Sequence, residues 1–600
     1  MIITERPEMK IMLSNAPWYE VDLEKGTGLL GCRAGSRWPH MRDYKGSMIS
    51  RYQPFPFFLA TASAMLKQKE FDVTIRDSIV IGETYDSYYR FIEELSPDLI
   101  VLEVSTPSIK NDFEIAAEIK RLLPCSEIVF VGLHAPLEDA SFLKNHPCID
   151  YTIYGEYEHP LMLLAQALRS GSDLNEVPNL VFRTGDDISK TSREPLIPIW
   201  NLPWPDRDSL SDTYYDGCGG MIGKELQIHT SRGCPFKCNF CVLPQIIYGG
   251  SHYRMRDPAD VVREIKFNME KGQYTHFYID DDTINIYKSH FMELCRLIRE
   301  SGLSQYPWAC MGRGDLMDDE MLYAMKSAGC YSIKYGIESF DRQVLELSGK
   351  SLDLNKVIEN VYKTQALGIR VHLTYCLGML GDTVDTVKNT IDKSLELESD
   401  SRQYSIASPF VGSRLWHEYR KIGLILNEDY NKYDANHAAV VNREELPADE
   451  LVRLKLMADE LSKKQLKKRV TSQYRTKEFE DGIRNAVMGA SAVIVAGTAR
   501  IPAQLRISEI ISECVANVHL VTSRNDEQFP SDNSGISLIV LSVVSGGEIG
   551  RSIKGRYDIA VIPLKTFNTD GAEGIINALS NLCKQIILIY GQGRIEALQR

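Results

Sequence analysis

Six hundred residues, 44% hydrophobic and 25% charged, describe an ordinary globular protein of several domains at ~100–200 residues each. A net charge of −13 excludes a broadly basic nucleic-acid scaffold, and no apolar run reaches the about 18 residues of a membrane span. The polar start MIITERPEMK is unlike a secretory leader, and thirteen scattered cysteines, an odd number, fit reduced thiols, so a soluble, cytoplasmic protein is expected. Residues 1–195 read as the first domain. Strands are expected at Lys10–Asn15, Phe71–Val80, Asp98–Val104, Glu127–Gly132 and Ile149–Tyr154, with helices at residues 54–68, Phe113–Leu123 and His159–Leu168. This alternation predicts a Rossmann-like, doubly wound parallel sheet. Ligands of such sheets bind at the carboxyl ends of the strands, which makes Ser105, Thr106, Gly132, Gly155 and Glu156 candidate contacts. Residues 28–46 read as a long polar, aromatic loop. Its Arg33, Arg37, Trp38 and His40 are either ligand contacts or domain packing.

The proline-rich joint Trp200–Pro205 opens a second domain, residues 196–425. Strands at Glu225–Thr230, His276–Asp280, Trp308–Arg313, Tyr331–Ile337, Arg370–Leu377 and Gln403–Ala407 alternate with amphipathic helices. Six such units predict a partial (β/α)6 barrel, with its chemistry at the carboxyl ends of the strands. Those ends carry Asp280–Asp282, Arg313, Glu338, Ser339 and Gly378. For any one aspartate a turn-capping role is at least as good a reading as a catalytic one.

The loop after the first barrel strand, SRGCPFKCNFCVLP, carries Cys234, Cys238 and Cys241 as C-x3-C-x2-C. Three thiolates on one loop can hold three irons of a 4Fe–4S cluster and leave the fourth iron open. A structural zinc site wants four closed ligands. The nearest further thiol, Cys218, lies sixteen residues upstream, and no C-x2-C partner follows.

With Phe240 before the last cysteine, this stretch resembles the signature of the radical S-adenosylmethionine (SAM) superfamily. The resemblance implies that the open iron chelates SAM and that one electron cleaves it to a 5′-deoxyadenosyl radical. It further implies that Phe240 lies beside the adenine, and that Glu338, with Ser339 after it, occupies the ribose-contacting position. Arg313, Arg254 and Arg256 are unranked candidates for the SAM carboxylate. LGMLGDT (377–383) resembles the family's G-x-P-G-E-T turn, with Leu380 and Asp382 in place of proline and glutamate, and SPFVGS (408–413) resembles a segment that borders substrate. The stretches GCRAGSRWPH, PFPFFLATASAML, SPDLIVLEVSTPS and YTIYGEYEHP, ahead of the cysteines, resemble the cobalamin-binding domain of cobalamin-dependent radical SAM enzymes. The D-x-H-x-x-G motif that brings a histidine to cobalt is absent.

Residues 426–485 read as a helical linker with a helix at Pro447–Lys468. Residues 486–600 read as a small Rossmann-like α/β accessory domain, with strands at Ala492–Ala496, Asn517–Val521, Ser537–Leu541, Ile559–Pro563 and Gln585–Tyr590 and helices near Ala503–Cys514 and Asp570–Leu582. The resemblance implies a 4Fe–4S cluster, SAM and cobalamin as cofactors, a small-molecule substrate and an electron donor such as flavodoxin or ferredoxin. It implies methylation of an unactivated carbon of a small-molecule, lipid or sugar substrate. Cyclisation or rearrangement, a first domain without cobalamin, and a non-catalytic iron–sulfur sensor are the alternatives.

Overall fold

The computed structural model describes residues 9–473, apart from residues 23, 50, 51, 186, 214, 216, 222 and 223, and beyond them the backbones of six strands between residues 492 and 598. The first sheet contains β1 (Lys10–Asn15), β5 (Asp72–Asp77), β6 (Leu99–Ser105), β7 (Glu127–Leu133), β8 (Tyr151–Ile153), β9 (Leu180–Thr184) and β10 (Asp187–Lys190), in the order 10-9-8-7-6-1-5. Its pairs are parallel from β5 to β8, and β9 and β10 close one edge antiparallel. The β6 sequence LIVLEVS is buried at every position, as a strand covered on both faces requires.

Two expectations fail in this domain. The stretch read as one long loop, residues 28–46, instead holds β3 (Thr27–Cys32) and β4 (His40–Asp43), which with β2 (Tyr19–Asp22) ahead of it form a three-stranded antiparallel meander. The strand read to Val80 stops at Asp77, whose carboxylate accepts from Val80 N and caps a short helical turn, Ser78–Ile81.

The second sheet is a six-stranded parallel barrel segment in the order β11 (Glu225–Ile228), β14 (His276–Ile279), β15 (Trp308–Gly312), β16 (Cys330–Glu338), β17 (Arg370–Leu377) and β18 (Ser401–Ile406). Between its first two strands stands a hairpin of β12 (Ser231–Gly233) and β13 (Tyr253–Met255). Apolar residues at every second position, such as Ile333, Tyr335 and Ile337 of β16 and Val371 and Leu373 of β17, face the surrounding helices and are fully buried. Local chemistry sets the helix starts. Asp257 caps the helix Pro258–Met269, whose first residue needs no donor, and Thr383 and Thr386 form a capping box at Val384–Glu396.

The two sheets share one compact unit. Gln227 of β11 accepts from Phe55 N at 2.6 Å and donates to Gln53 O at 3.0 Å. A helix, Ala448–Gln473, follows the barrel. Strands β19 (Ala492–Ala496), β20 (Asn517–Thr522), β21 (Ile536–Val540), β22 (Tyr557–Pro563), β23 (Cys583–Ile589) and β24 (Ile595–Leu598) form their own sheet in the order 21-20-19-22-23-24. The strand β24 was not foreseen, and the helices expected near residues 503–514 and 570–582 lie outside the described residues. No helix among the described residues is long and apolar enough to cross a membrane.

Candidate active site

The cysteine loop is held by the ends of neighbouring strands. Asp281, past the end of β14 and fully buried, accepts from Thr230 N (2.7 Å), Ser231 N (3.0 Å), Ser231 Oγ (2.7 Å) and the Thr230 hydroxyl. It therefore caps the turn that launches the loop. Asp282 accepts from Gly233 N at 2.9 Å. On the other side Asn239 N donates to Ser348 O (2.8 Å), and the Asn239 side chain donates to Leu347 O (3.2 Å) and to Glu418 Oε2 (2.9 Å). The 347–350 turn is thereby bound to the cysteines, and it delivers a lysine that sequence reasoning missed, Lys350.

Cys234, Cys238 and Cys241 are free thiols, each partly exposed. Burial pushes all three up; neighbouring thiols raise Cys234 and Cys241 further, while Lys350 and Arg313 pull Cys238 back down. Among the described residues no group of three or more ligating side chains is arranged around a single metal ion. A 4Fe–4S cluster asks for something different, since its cysteines ligate separate irons. Three convergent thiols with basic groups beside them suit that need.

Of the arginines proposed for the SAM carboxylate, Arg254 is bound to Glu156 (2.8 Å) and Arg256 to Asp260 and Glu264 (both 2.6 Å). Arg313 lies against the cysteine loop, its guanidinium 3.8 Å from the Phe236 ring centroid and 2.7 Å from Asp315. Glu338 ends β16 in the left-handed region (φ +68°), beyond a register shift, and accepts from Lys350 Nζ at 2.7 Å. Ser339 is buried against Thr390 (3.3 Å) and accepts from Asp341 N. Phe240 is half-buried and packs on the apolar groups around Met379 and Tyr419. In the LGMLGDT turn, Asp382 accepts from Gly378 N and Met379 N, a structural duty.

In the first domain, Ser105 bonds Ser108 (2.8 Å), which donates to Asp112, the buried partner of Arg33. Thr106 meets His134 at 3.2 Å. Gly155 stands beside Arg193. Both carboxylate oxygens of Glu156 are taken by Arg232 and Arg254. Of the five candidates only Gly132 lines the cavity that opens between the two sheets. Its first-domain wall is Phe57, Phe58, Glu103, Gly132 and Tyr157; its barrel wall is His229, Tyr248, Asp280 and Asp282. Arg37 reaches across and pairs with Asp280 (2.6 Å) and Asp282 (3.0 Å). Most of these residues carry no local sequence signal.

The walls of this cavity are backbone on one side and aromatic rings on the other, the kind of surface a flat cofactor packs against. Gly132 has φ +115°, and a Cβ there would lie 2.5 Å from Val104 O, so backbone forms that part of the wall. Phe57 stacks on His229 with ring centroids 3.6 Å apart. Burial and the surrounding arginines hold His229 well below the usual histidine range, and its buried Nδ1 has no partner among the described residues. A neutral imidazole is thus present although the usual histidine motif is absent.

The family described as Radical SAM superfamily matches residues 228–393, and the one described as B12 binding domain matches residues 50–165. An uncharacterized methyltransferase of Pyrococcus horikoshii is 26% identical over 379 residues, 63% of this chain and 81% of the relative. Anaerobic magnesium-protoporphyrin IX monomethyl ester cyclase of Cereibacter sphaeroides is 25% identical over 397 residues, 65% of this chain and 64% of the relative. The structure of the cobalamin-dependent SAM radical enzyme OxsB with aqua-cobalamin and SAM bound has the same fold, with a TM-score of 0.56 at 15% identity, covering 84% of this chain and 71% of that one. The matched domains bring a 4Fe–4S cluster, SAM and cobalamin as cofactors. The chain thus carries a radical SAM domain and, ahead of it, a B12-binding domain.

Proposed function

We propose that this enzyme methylates an unactivated carbon of a small-molecule, lipid or sugar substrate. The observation that carries the proposal is the cavity joining the carboxyl ends of β6 and β7 to the barrel mouth beside the cysteine loop. When bound, the cluster supplies the electron that cleaves SAM to a hydrogen-abstracting radical, and cobalamin supplies a methyl carrier. In this reading residues 1–195 house cobalamin and residues 196–425 house the radical chemistry. Cys234, Cys238 and Cys241 hold the irons. Phe240 flanks the adenine, and Glu338, oriented by Lys350, accepts from the ribose hydroxyls. Arg313 is the best-placed cation for the SAM carboxylate, since it lies against the cysteine loop at Phe236, whereas Arg254 and Arg256 are tied to Glu156, Asp260 and Glu264 away from it. Gly132, Phe57 and Tyr157 wall the corrin, while Ser105, Thr106, Gly155 and Glu156 support that wall from behind. A flavodoxin or ferredoxin delivers the electron.

Anaerobic reconstitution followed by absorbance, then incubation with dithionite and SAM, tests the proposal. Iron–sulfur and corrin bands, 5′-deoxyadenosine and S-adenosylhomocysteine are expected. Cys238→Ala should lose the cluster and all 5′-deoxyadenosine; retention of both would sink the assignment. The cyclase relative favours a second reading, radical chemistry without methyl transfer. It would give 5′-deoxyadenosine and no S-adenosylhomocysteine with the true substrate.

A further inference from the structure

The inner face of the barrel is polar and borders open space. On β16 and β17 the helix-facing residues are fully buried, whereas Ser332, Lys334, Gly336, His372 and Thr374 on the opposite face keep partial exposure. In a barrel segment the strand face turned away from the helices points to the barrel interior. Lys334 is paired in register with Met311 on one side and His372 on the other.

The cations around this chamber divide sharply. Arg37 is held by Asp280 and Asp282, Arg313 by Asp315, Lys350 by Glu338, and Arg370 by Asp400 at 3.7 Å and by the Tyr331 hydroxyl at 2.6 Å. Lys334 has no hydrogen bond or ion pair among the described residues. Its ammonium stands 4.8 Å from the ring centroid of Tyr278, whose buried hydroxyl has no partner either. His372 gives no compensating negative charge. Its Nδ1 is 2.8 Å from Ser401 Oγ, and burial, with Lys334 and Arg370, lowers it to about 3, so it is neutral at physiological pH. A cation with no anionic partner, over the ring of a tyrosine whose buried hydroxyl also lacks one, is completed by a ligand anion.

We propose that Lys334 and the Tyr278 hydroxyl bind an anionic group of the substrate, a phosphate or a carboxylate, inside the barrel. This rests on the reading of the chain as an enzyme whose substrate sits at the barrel mouth, and it names that substrate's class. Lys334 lies four residues before Glu338, about 13 Å along the strand. The anion is therefore remote from the reacting carbon and serves as a tether. Both donors are supplied by the chain: an ammonium for charge and a phenol O–H for direction.

Inorganic phosphate and acetate serve as separate probes on the reconstituted full-length protein. Amine acetylation at Lys334, followed by peptide mass spectrometry, should be slowed by one of the two, and that one should raise the thermal midpoint. Lys334→Met should weaken the effective anion about tenfold or more, the loss expected of a charge-assisted hydrogen bond; Lys334→Arg should keep most of it. Substrate-free cleavage of SAM to 5′-deoxyadenosine should be unchanged in both variants. Protection by phosphate marks a phosphorylated substrate, and protection by acetate a carboxylate. Absence of protection by either anion, an anion response in Lys334→Met equal to the parent's, or loss of SAM cleavage in Lys334→Met would overturn the proposal. Should Lys334→Met fail to fold, labelling of the parent and the Lys334→Arg response still decide. A parent protein that makes no 5′-deoxyadenosine would refute the enzymatic reading instead, and the two anion arms would still report on the lysine.

Discussion

Replacing Arg232 with methionine tests how the first domain is bound to the cysteine loop. Arg232 sits on β12, two residues before Cys234, and is 4% exposed. It donates to Glu156 at 2.8 Å and to Glu158 at 2.7 Å, which are 9% and 0% exposed. Burial pushes Glu156 up, but Arg232 and Arg254 outweigh it and hold the carboxyl below its usual range. Burial pushes Glu158 up too, and Arg232 only partly offsets this against the neighbouring Glu156, so Glu158 ends above its usual range. In Arg232→Met, Glu156 keeps Arg254, while Glu158 has no cation and stays buried. Removing one partner from a buried pair costs about 3–5 kcal/mol. The sign with pH follows from Glu158. A carboxyl with a raised folded pKa contributes fully below its unfolded pKa, and that contribution is lost as pH rises through the folded one. The variant's deficit should therefore be larger at pH 8 than at pH 5. Denaturant unfolding of the apo protein at the two pH values measures it. Arg121→Met is the control, an exposed i,i+3 pair with Glu118 whose loss should leave stability close to the parent's. Adding Glu158→Gln to the variant should recover about 1–3 kcal/mol at pH 8. A deficit no larger than the control's, or one independent of pH, would refute the reasoning.

The cavity wall gives two further tests. Burial pushes Glu103 up from 4.5 to about 7, against the lowering effect of the hydroxyl of Tyr157 at 2.7 Å. Its contribution is present below pH 4.5 and lost as pH rises through 7, about 3 kcal/mol in all; Glu103→Gln should flatten the stability profile between pH 5 and 8, and an unchanged profile would show that Glu103 does not titrate there. Gly132→Ala forces a Cβ to 2.5 Å from Val104 O at φ +115°, so it should lower corrin absorbance after reconstitution while iron content stays at the parent's level, and full corrin loading would exclude a backbone wall at that point.

Much of the barrel was legible because its signals are local. Arg370–Leu377 alternates apolar and polar residues, and its expected limits coincide with β17. Three cysteines within eight residues announce their chemistry without any tertiary knowledge. The meander at residues 19–43 was illegible for a physical reason. Its strands are short and mostly half-buried or exposed, only the end of β3 being buried, so no period-two apolar pattern forms. The cavity was hidden for another reason. Glu103, Tyr157, His229 and Tyr248 meet only after two sheets dock, and nothing near any of them in sequence marks it as a wall. Glu156 shows the converse. Its place after a strand suggested a ligand contact, whereas both its oxygens are spent on arginines of the barrel. Lys350 could have been suspected only from its SGK turn, since Gly349 adopts φ +70°.

The charges at the domain boundary are exchanged in both directions. The first domain lends Arg37 to the barrel's Asp280 and Asp282, and the barrel lends Arg232 and Arg254 to the first domain's Glu156 and Glu158. Either half expressed alone would carry a cluster of unbalanced like charge where the other half had been. The cofactor domain is thus no interchangeable cassette. A chimera that grafts another corrin-binding domain onto this barrel must carry over Arg37 and both glutamates, or redesign Arg232, Arg254 and the two aspartates with it.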